Sequence, residues 1–223
     1  MFEIVEKREV VPKVKLLKIL APKIARKVRP GQFVILRICE EGERIPITVA
    51  DYDPEAGTIT IVFKETGKTT KQLGTFSVGD KILNVLGPLG KPAEIGKYGK
   101  VVCIGSGVFA APASLLAGAY KKAGNYVIGI NNARRADLLV FEQRFKAVCD
   151  EYYVSTDDGS KGYQGIDFLK EILERGVDRV VVCGLVPIQK KVCELTRPYG
   201  VKTMVHLTPI MVDGMGMCGA CRV

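Results

Sequence analysis

The chain has 223 residues, 47% of them hydrophobic, and 33 Lys and Arg against 24 Asp and Glu give a formal net charge of +9. That is enough to close two packed domains of ordinary size, and the short, broken apolar runs exclude a transmembrane span. The basic residues are dispersed without interleaved aromatics, which argues against nucleic-acid binding and leaves a nucleotide, another acidic partner or plain solubility as uses for the charge.

Residues 1–8 lack the apolar core of a signal peptide, and seven scattered cysteines then point to a reducing, cytoplasmic setting. Dense Lys, Arg and Glu, no Trp and one His resemble a thermophile's composition.

From the N-terminus, β-rich runs at 10–20, 32–38, 45–52, 58–64 and 81–86 alternate with turn residues such as Pro30-Gly31 and Val78-Gly79-Asp80. This spacing predicts a small antiparallel barrel or sandwich over residues 1–97. Within it, Arg44, Pro46 and Thr48 alternate along a strand and share one face. Such a row could aim an Arg at a diphosphate and a hydroxyl at a ring nitrogen. A plain edge strand with a surface Arg has the same spacing. Gly67-Lys68-Thr69-Thr70 reads as a glycine turn entering a short helix capped by Thr69 or Thr70. Its N–H groups could hold a phosphate, or the cap could stand alone.

Tyr98-Gly99 marks the boundary, after which the period changes. Strand-like runs at 101–104, 126–130, 151–155, 179–183 and 202–206 alternate with helices over 111–123, 137–148, 166–174 and 187–197. This predicts a parallel sheet with helices on both faces, a Rossmann-like α/β domain over 98–208. Gly105-Ser106-Gly107-Val108 follows the first buried strand, where glycines permit a tight turn and close approach of a phosphate. The third glycine of the usual fingerprint is absent, with Phe109 or Ala110 near its place, and an ordinary β–α turn looks alike. Arg134-Arg135 follows the second strand, where an adenosine 2′-phosphate would be read, or where two arginines simply meet solvent. Asp157-Asp158-Gly159-Ser160 ends the third strand, either as a ligand contact or as a solvated acidic turn. Cys183-Gly184 ends the fourth, where a thiol could face a nicotinamide or stay inert in the core. The sole histidine, His206, reads as a packed residue rather than a base.

The segment 209–223 carries Asp213, Cys218 and Cys221 as D-x4-C-x2-C. Plant-type [2Fe–2S] ferredoxins use C-x4-C-x2-C plus one distant Cys. The glycines between would let a loop wrap a cluster and aim N–H groups at its sulfurs. No fourth ligand candidate follows, so it is expected beyond Val223 or the site is incomplete. A bare C-x2-C is also half of a zinc site.

In order, Arg-x-Pro-x-Thr, Val62-Phe63-Lys64, Gly67-Lys68-Thr69-Thr70, Gly-x-Gly-Val with Ala111-Pro112, Asp-Asp-Gly-Ser and the terminal cysteines resemble the ferredoxin–NADP reductase superfamily. Within it, the chain is similar to the small subunits of NADH-dependent ferredoxin:NADP oxidoreductases (sulfide dehydrogenases) and to dihydroorotate dehydrogenase electron-transfer subunits. The resemblance spans essentially the whole chain. It implies an FAD-binding β-barrel, an NAD(P)-binding α/β domain and a C-terminal [2Fe–2S] segment.

Carried over, Arg44 would neutralise an FAD phosphate and Thr48 would bond near the flavin N5, with Pro46 and Ile47 beside them. Val62, Phe63 and Lys64 would line the FAD, and Gly67, Thr69 and Thr70 would meet its pyrophosphate. Gly105, Gly107, Asp157, Asp158, Gly159 and Cys183 would meet NAD(H) or NADP(H). Asp213, Cys218 and Cys221 would hold the cluster, the Asp favouring the ferredoxin:NADP type over an all-Cys relative. Two departures stand out: Phe109 replaces a glycine of Gly-Gly-Gly-x-Gly, and residues 185–189 leave the family's usual run.

The implied function is a subunit of a heterodimer that passes electrons between NAD(P)H and a larger flavoprotein or iron–sulfur partner linked to ferredoxin. Such chemistry requires no side-chain acid or base, in accord with the single histidine. Two other readings stay open: a conduit or assembly subunit without nucleotide binding, and a zinc-stabilised binding module.

Overall fold

The computed structural model describes residues 1–213 and 216–221. They divide into two units, one made of Met1–Ala93 with the tail from Pro209, the other of Glu94–Thr208.

Period-two patterning builds the first unit. Strands β1 (Phe2–Val11) and β2 (Val14–Leu20) are followed by a short helix α1 (Pro22–Ala25), then β3 (Phe33–Arg37), β4 (Arg44–Asp53) and β5 (Thr58–Lys64). Helix α2 (Lys68–Thr75) leads into β6 (Lys81–Ile82) and β7 (Asn84–Leu89). The strands form one nearly closed antiparallel sheet, in the order β6-β1-β2-β5-β4-β3-β7. Alternate residues such as Leu17, Ile19, Val34, Leu36, Ile59 and Ile61 fill its interior. The run expected as a single strand at 10–20 is a hairpin instead. The chain reverses at Pro12-Lys13, with Lys13 in the left-handed region at φ 65°. Strand β1 escapes the hydrophobic pattern because Glu3, Glu6, Lys7, Arg8 and Glu9 interrupt it.

The second unit follows the helix–strand alternation. Its strands are β8 (Lys100–Ser106), β9 (Tyr126–Ala133), β10 (Glu151–Thr156), β11 (Tyr163–Gln164), β12 (Arg179–Cys183) and β13 (Lys202–His206). Between them lie α3 (Ala110–Lys122), α4 (Glu142–Val148), α5 (Leu169–Leu173) and α6 (Val186–Thr196). All strand pairs are parallel, in the order β11-β10-β9-β8-β12-β13. The apolar runs in β8 and β12 are buried, as a sheet covered on both faces requires. From β8 the chain steps outward to β10 and β11, then returns to β12 on the other side of β8. The carboxyl ends of β8 and β12 therefore flank a topological switch point, where open α/β sheets bind ligands.

Two predicted helices are shorter than their periodicity suggests: the one expected over 166–174 forms only α5, and the one over 137–148 is interrupted. Residues 137–148 contain a 3₁₀ turn (Ala136–Leu138), then a break where Phe141 takes φ 58°, and only then α4. The buried Asn131 amide donates to the Val140 carbonyl at 2.8 Å and holds the break open.

Candidate functional site

In the barrel, β4 alternates as expected. Ile47 and Val49 point into the core, whereas Arg44, Pro46 and Thr48 lie on the opposite face, with Arg44 and Pro46 exposed. Register places Arg44 opposite Arg37, Pro46 opposite Ile35 and Thr48 opposite Phe33 on β3. Among the described residues Arg44 forms no ion pair, so its guanidinium is available to an anion. On β5, Phe63 joins the core with Ile59 and Ile61, and Val62 and Lys64 take the other face. A ligand on the Arg44 face could meet Ile47 and Phe63 only through their main chain.

Helix α2 starts differently from the expected Thr cap. Its N-cap is Gly67, in extended backbone, and Thr70 reaches back from the third helical position. The Thr70 hydroxyl accepts the N–H groups of Thr66 and Gly67, each at 3.0 Å. Thr69 is buried, and its hydroxyl donates to Glu43 Oε2 at 3.3 Å. The first-turn N–H groups of a helix lack intrahelical partners and favour an anion. Lys64, Lys68 and Lys71 add positive charge around this end.

At the switch point, Gly105 is required by packing. A Cβ there would lie 2.6 Å from Ala110 Cα and 2.8 Å from Ala113 Cβ, so its absence lets α3 close onto β8. Gly107 takes φ 57°, and nothing lies within 4 Å of the position its Cβ would occupy. The Phe109 ring turns toward His206, with centroids 6.5 Å apart. Burial pushes the His206 imidazole below its ordinary pKa, which keeps it neutral. Cys183 is fully buried, and that burial pushes its thiol up to about 12. It is therefore a neutral core group rather than an exposed one at the sheet edge.

Asp157, Asp158 and Gly159 form an exposed turn beyond β10, with Gly159 at φ 73°. Asp158 Oδ1 accepts from the Ser160 hydroxyl at 2.6 Å and the Ser160 N–H at 3.0 Å, and these bonds lower its pKa. Asp157 instead accepts from the Asn132 amide at 3.2 Å. Arg135 is bound by both oxygens of Asp137, at 3.1 and 2.8 Å, while Arg134 is exposed without an ion pair among the described residues.

Sequence reasoning missed two residues of this edge. Asn132 joins three strands, and its only signal is a second consecutive Asn at the end of an apolar run. Gln189 on α6 is buried and donates to the carbonyls of Gly184 at 2.6 Å and His206 at 2.7 Å. It lies in the segment 185–189 that departs from the family's run.

In the tail, Asp213 accepts from the N–H groups of Gly216 at 3.2 Å, Met217 at 2.9 Å and Cys218 at 2.8 Å. Cys218 is exposed and Cys221 half-buried, both free thiols. Gly214, Met215, Arg222 and Val223 lie outside the described residues. Among the described residues, no three His, Cys, Asp or Glu side chains are grouped to hold a metal ion, and no helix is long and apolar enough to cross a membrane. The donor types still suit iron and sulfide: two thiols and a carboxylate in one glycine-rich loop.

No family model matches the chain. It is 45% identical over 227 residues to the dihydroorotate dehydrogenase B (NAD(+)) electron transfer subunit homolog of Thermotoga maritima, covering 96% of this chain and 79% of that protein. The probable dihydroorotate dehydrogenase B (NAD(+)) electron transfer subunit of Methanopyrus kandleri is 32% identical over 225 residues, covering 99% and 83%. Among solved structures, a chain of the NADH-dependent reduced ferredoxin-NADP oxidoreductase superposes with a TM-score of 0.93 at 42% identity, covering 100% of this chain and 82% of that one.

Proposed function

The chain belongs to the family of dihydroorotate dehydrogenase B electron-transfer subunits and their homologues, and from that membership we propose that it binds FAD, NAD(H) or NADP(H) and a [2Fe–2S] cluster. It is a subunit of an oxidoreductase of the ferredoxin-reductase-like type. In this reading it carries electrons between NAD(P)H and a larger flavoprotein partner.

The observation that carries the reading is Arg44, exposed, without an ion pair among the described residues, on the β4 face that also bears Thr48. Arg44 and the start of α2 would bind the FAD diphosphate, and Thr48 would bond near the isoalloxazine ring. Val62 and Lys64 would lie along the cofactor, Phe63 and Ile47 offering it main chain only. Bound FAD supplies two-electron acceptance and one-electron release, while the protein supplies position and electrostatics. Gly105 and Gly107 would let dinucleotide phosphates approach the turn before α3. Asp213, Cys218 and Cys221 would hold the cluster. A carboxylate has about four lone-pair sites, so Asp213 could keep backbone bonds while donating to iron. The carboxylate ligand favours the ferredoxin:NADP type of partner.

An absorption spectrum with iron and sulfide analysis on anaerobically purified protein tests this. Flavin bands are expected, together with [2Fe–2S] features when the C-terminal segment that supplies the fourth ligand is complete, and with bleaching on addition of NADH or NADPH. A flavoprotein that neither nucleotide bleaches would be a conduit; a colourless protein containing zinc would be a binding module.

A further inference from the structure

A line of polar side chains crosses three parallel strands at the carboxyl edge of the second unit. Ser106 at the end of β8 donates its hydroxyl to Asn132 Oδ1 at 2.8 Å. Asn132, on β9, passes its amide N–H groups to Ser155 Oγ at 3.1 Å and Asp157 Oδ1 at 3.2 Å. The register makes this exchange direct, since Asn132 is the partner of Ser106 on one side and of Ser155 on the other. A carboxylate can only accept, so the amide nitrogen must face Asp157 and the amide oxygen must face Ser106.

Burial makes the arrangement stiff. Asn132 is 3% exposed and Ser155 fully buried, whereas Asp157 is exposed. An amide taken out of water keeps its hydrogen bonds because losing them is costly. The buried amide therefore fixes a surface carboxylate.

The place where it fixes that carboxylate is informative. In dinucleotide-binding sheets an acid roughly 20 residues past the glycine turn accepts the adenosine ribose 2′-hydroxyl. Here the second strand ends in Ala133-Arg134-Arg135, with no acid, and Arg135 is already engaged by Asp137. Asn132 draws the acid of the third strand toward that end. We infer that Asn132 is a positioning residue that holds the Asp157 carboxylate for the ribose diol of NAD(H) and thereby disfavours the 2′-phosphate of NADP(H). A 2′-hydroxyl donates to a carboxylate, whereas a phosphate dianion is repelled by it. Asp158, held by Ser160 in the same turn, adds a second negative charge.

The inference rests on the dinucleotide reading of this unit. Its test is the affinity of the FAD-loaded full chain for NAD⁺ and for NADP⁺, measured by calorimetry without turnover. The wild-type chain is expected to favour NAD⁺ by at least about tenfold, the size of one hydrogen bond to a charged group. Asn132→Ala and Asp157→Asn should each bring the two affinities close together. Asn132→Leu keeps nearly the same shape, cannot donate and adds no charge, so it should do the same without opening a cavity. If Asn132 were only structural, its variants would weaken both nucleotides equally and leave the ratio unmoved, which overturns the inference alone. A wild-type preference for NADP⁺ also overturns it. Failure of the wild-type chain to bind either nucleotide would remove both the inference and the dinucleotide reading.

Discussion

The Nζ of Lys7, on β1, donates to the carbonyl oxygen of Gly74 at 2.7 Å, joining two residues 67 apart in sequence. The same ammonium reaches the carbonyl of Phe76, so one lysine caps the C-terminal end of α2. Those carbonyls lack intrahelical partners and carry the negative end of the helix dipole. Gly74 completes the fit, because a Cβ there would lie 1.8 Å from Glu65 Oε1. Lys7→Met should destabilise the barrel by about 1–2 kcal/mol, the combined size of a dipole interaction and a charged hydrogen bond. Since the other end of α2 is the proposed diphosphate site, FAD affinity should fall with it. Urea unfolding checks the first effect, and an unchanged midpoint would mean the cap is not held in solution. Lys7→Arg should recover most of the loss.

Arg44 allows cofactor binding to be separated from folding. Its side chain is exposed and forms no ion pair among the described residues, so Arg44→Gln should leave the thermal midpoint of the flavin-free protein unchanged. FAD dissociation should rise by about tenfold to a hundredfold, as expected for losing a charge-assisted bond of roughly 1.5–3 kcal/mol. Flavin fluorescence during titration of the apoprotein gives the constant. Equal affinity in the variant would move the diphosphate away from β4.

The glycines at the switch point should respond differently to the same change. Gly105→Ala forces α3 away from β8, because the new methyl meets the Ala110 backbone at 2.6 Å. A cost of about 1–3 kcal/mol is expected, typical of overpacking. Gly107→Ala meets open space and suffers only from its φ of 57°, for which about 1 kcal/mol is expected. Both should appear as shifts in the urea midpoint. A larger loss for Gly107→Ala would reverse the assignment of roles.

These contrasts show what the sequence could disclose. The two halves were legible because their periods differ: alternation at 44–48 and 58–64, then buried apolar runs closed by helices. The β4 row was readable because a period of two fixes which side chains share a face. The charged β1 was not, since its inward residues are few and its pairing with β6 is long-range. The start of α4 was hidden because Phe141 takes a left-handed conformation that its residue type does not announce. For Cys183 the strand-end position left a nicotinamide contact and an inert core thiol both open, because burial depends on helices distant in sequence; the side chain is buried. Asn132 was invisible for the same reason: its partners lie on two other segments of the chain, Ser106 at the end of β8 and Ser155 with Asp157 at the end of β10.

The tail can be probed through Asp213. Its carboxylate organises the loop through three backbone N–H groups, two of them at 2.9 and 2.8 Å. Asp213→Ala removes both that organisation and the proposed oxygen ligand. Iron and acid-labile sulfide per chain should fall sharply while the flavin bands persist. Retention of full iron and sulfide by the variant would exclude Asp213 from the cluster.

The second unit should also show a proton-linked stability from Glu151. The Arg175 guanidinium grips both carboxylate oxygens, with Nη1 2.9 Å from Oε2, and the hydroxyls of Tyr153 and Tyr126 donate at 2.6 and 2.9 Å. The Arg175 bond foremost, then the two phenols, hold the Glu151 carboxyl at about 2 instead of its ordinary 4.5. The same carboxylate raises the pKa of both tyrosines, which donate to it. An acid whose folded-state pKa is depressed contributes fully above its unfolded pKa and loses that contribution as pH falls toward the folded value. The stabilisation should therefore be complete above about pH 5 and disappear between there and about pH 2. Arg175 is exposed, so solvent screening should keep the effect small. Arg175→Met should be less stable than wild type at neutral pH, and the gap between their urea midpoints should close on acidification. A gap that stays constant across that interval would mean the fork contributes packing alone.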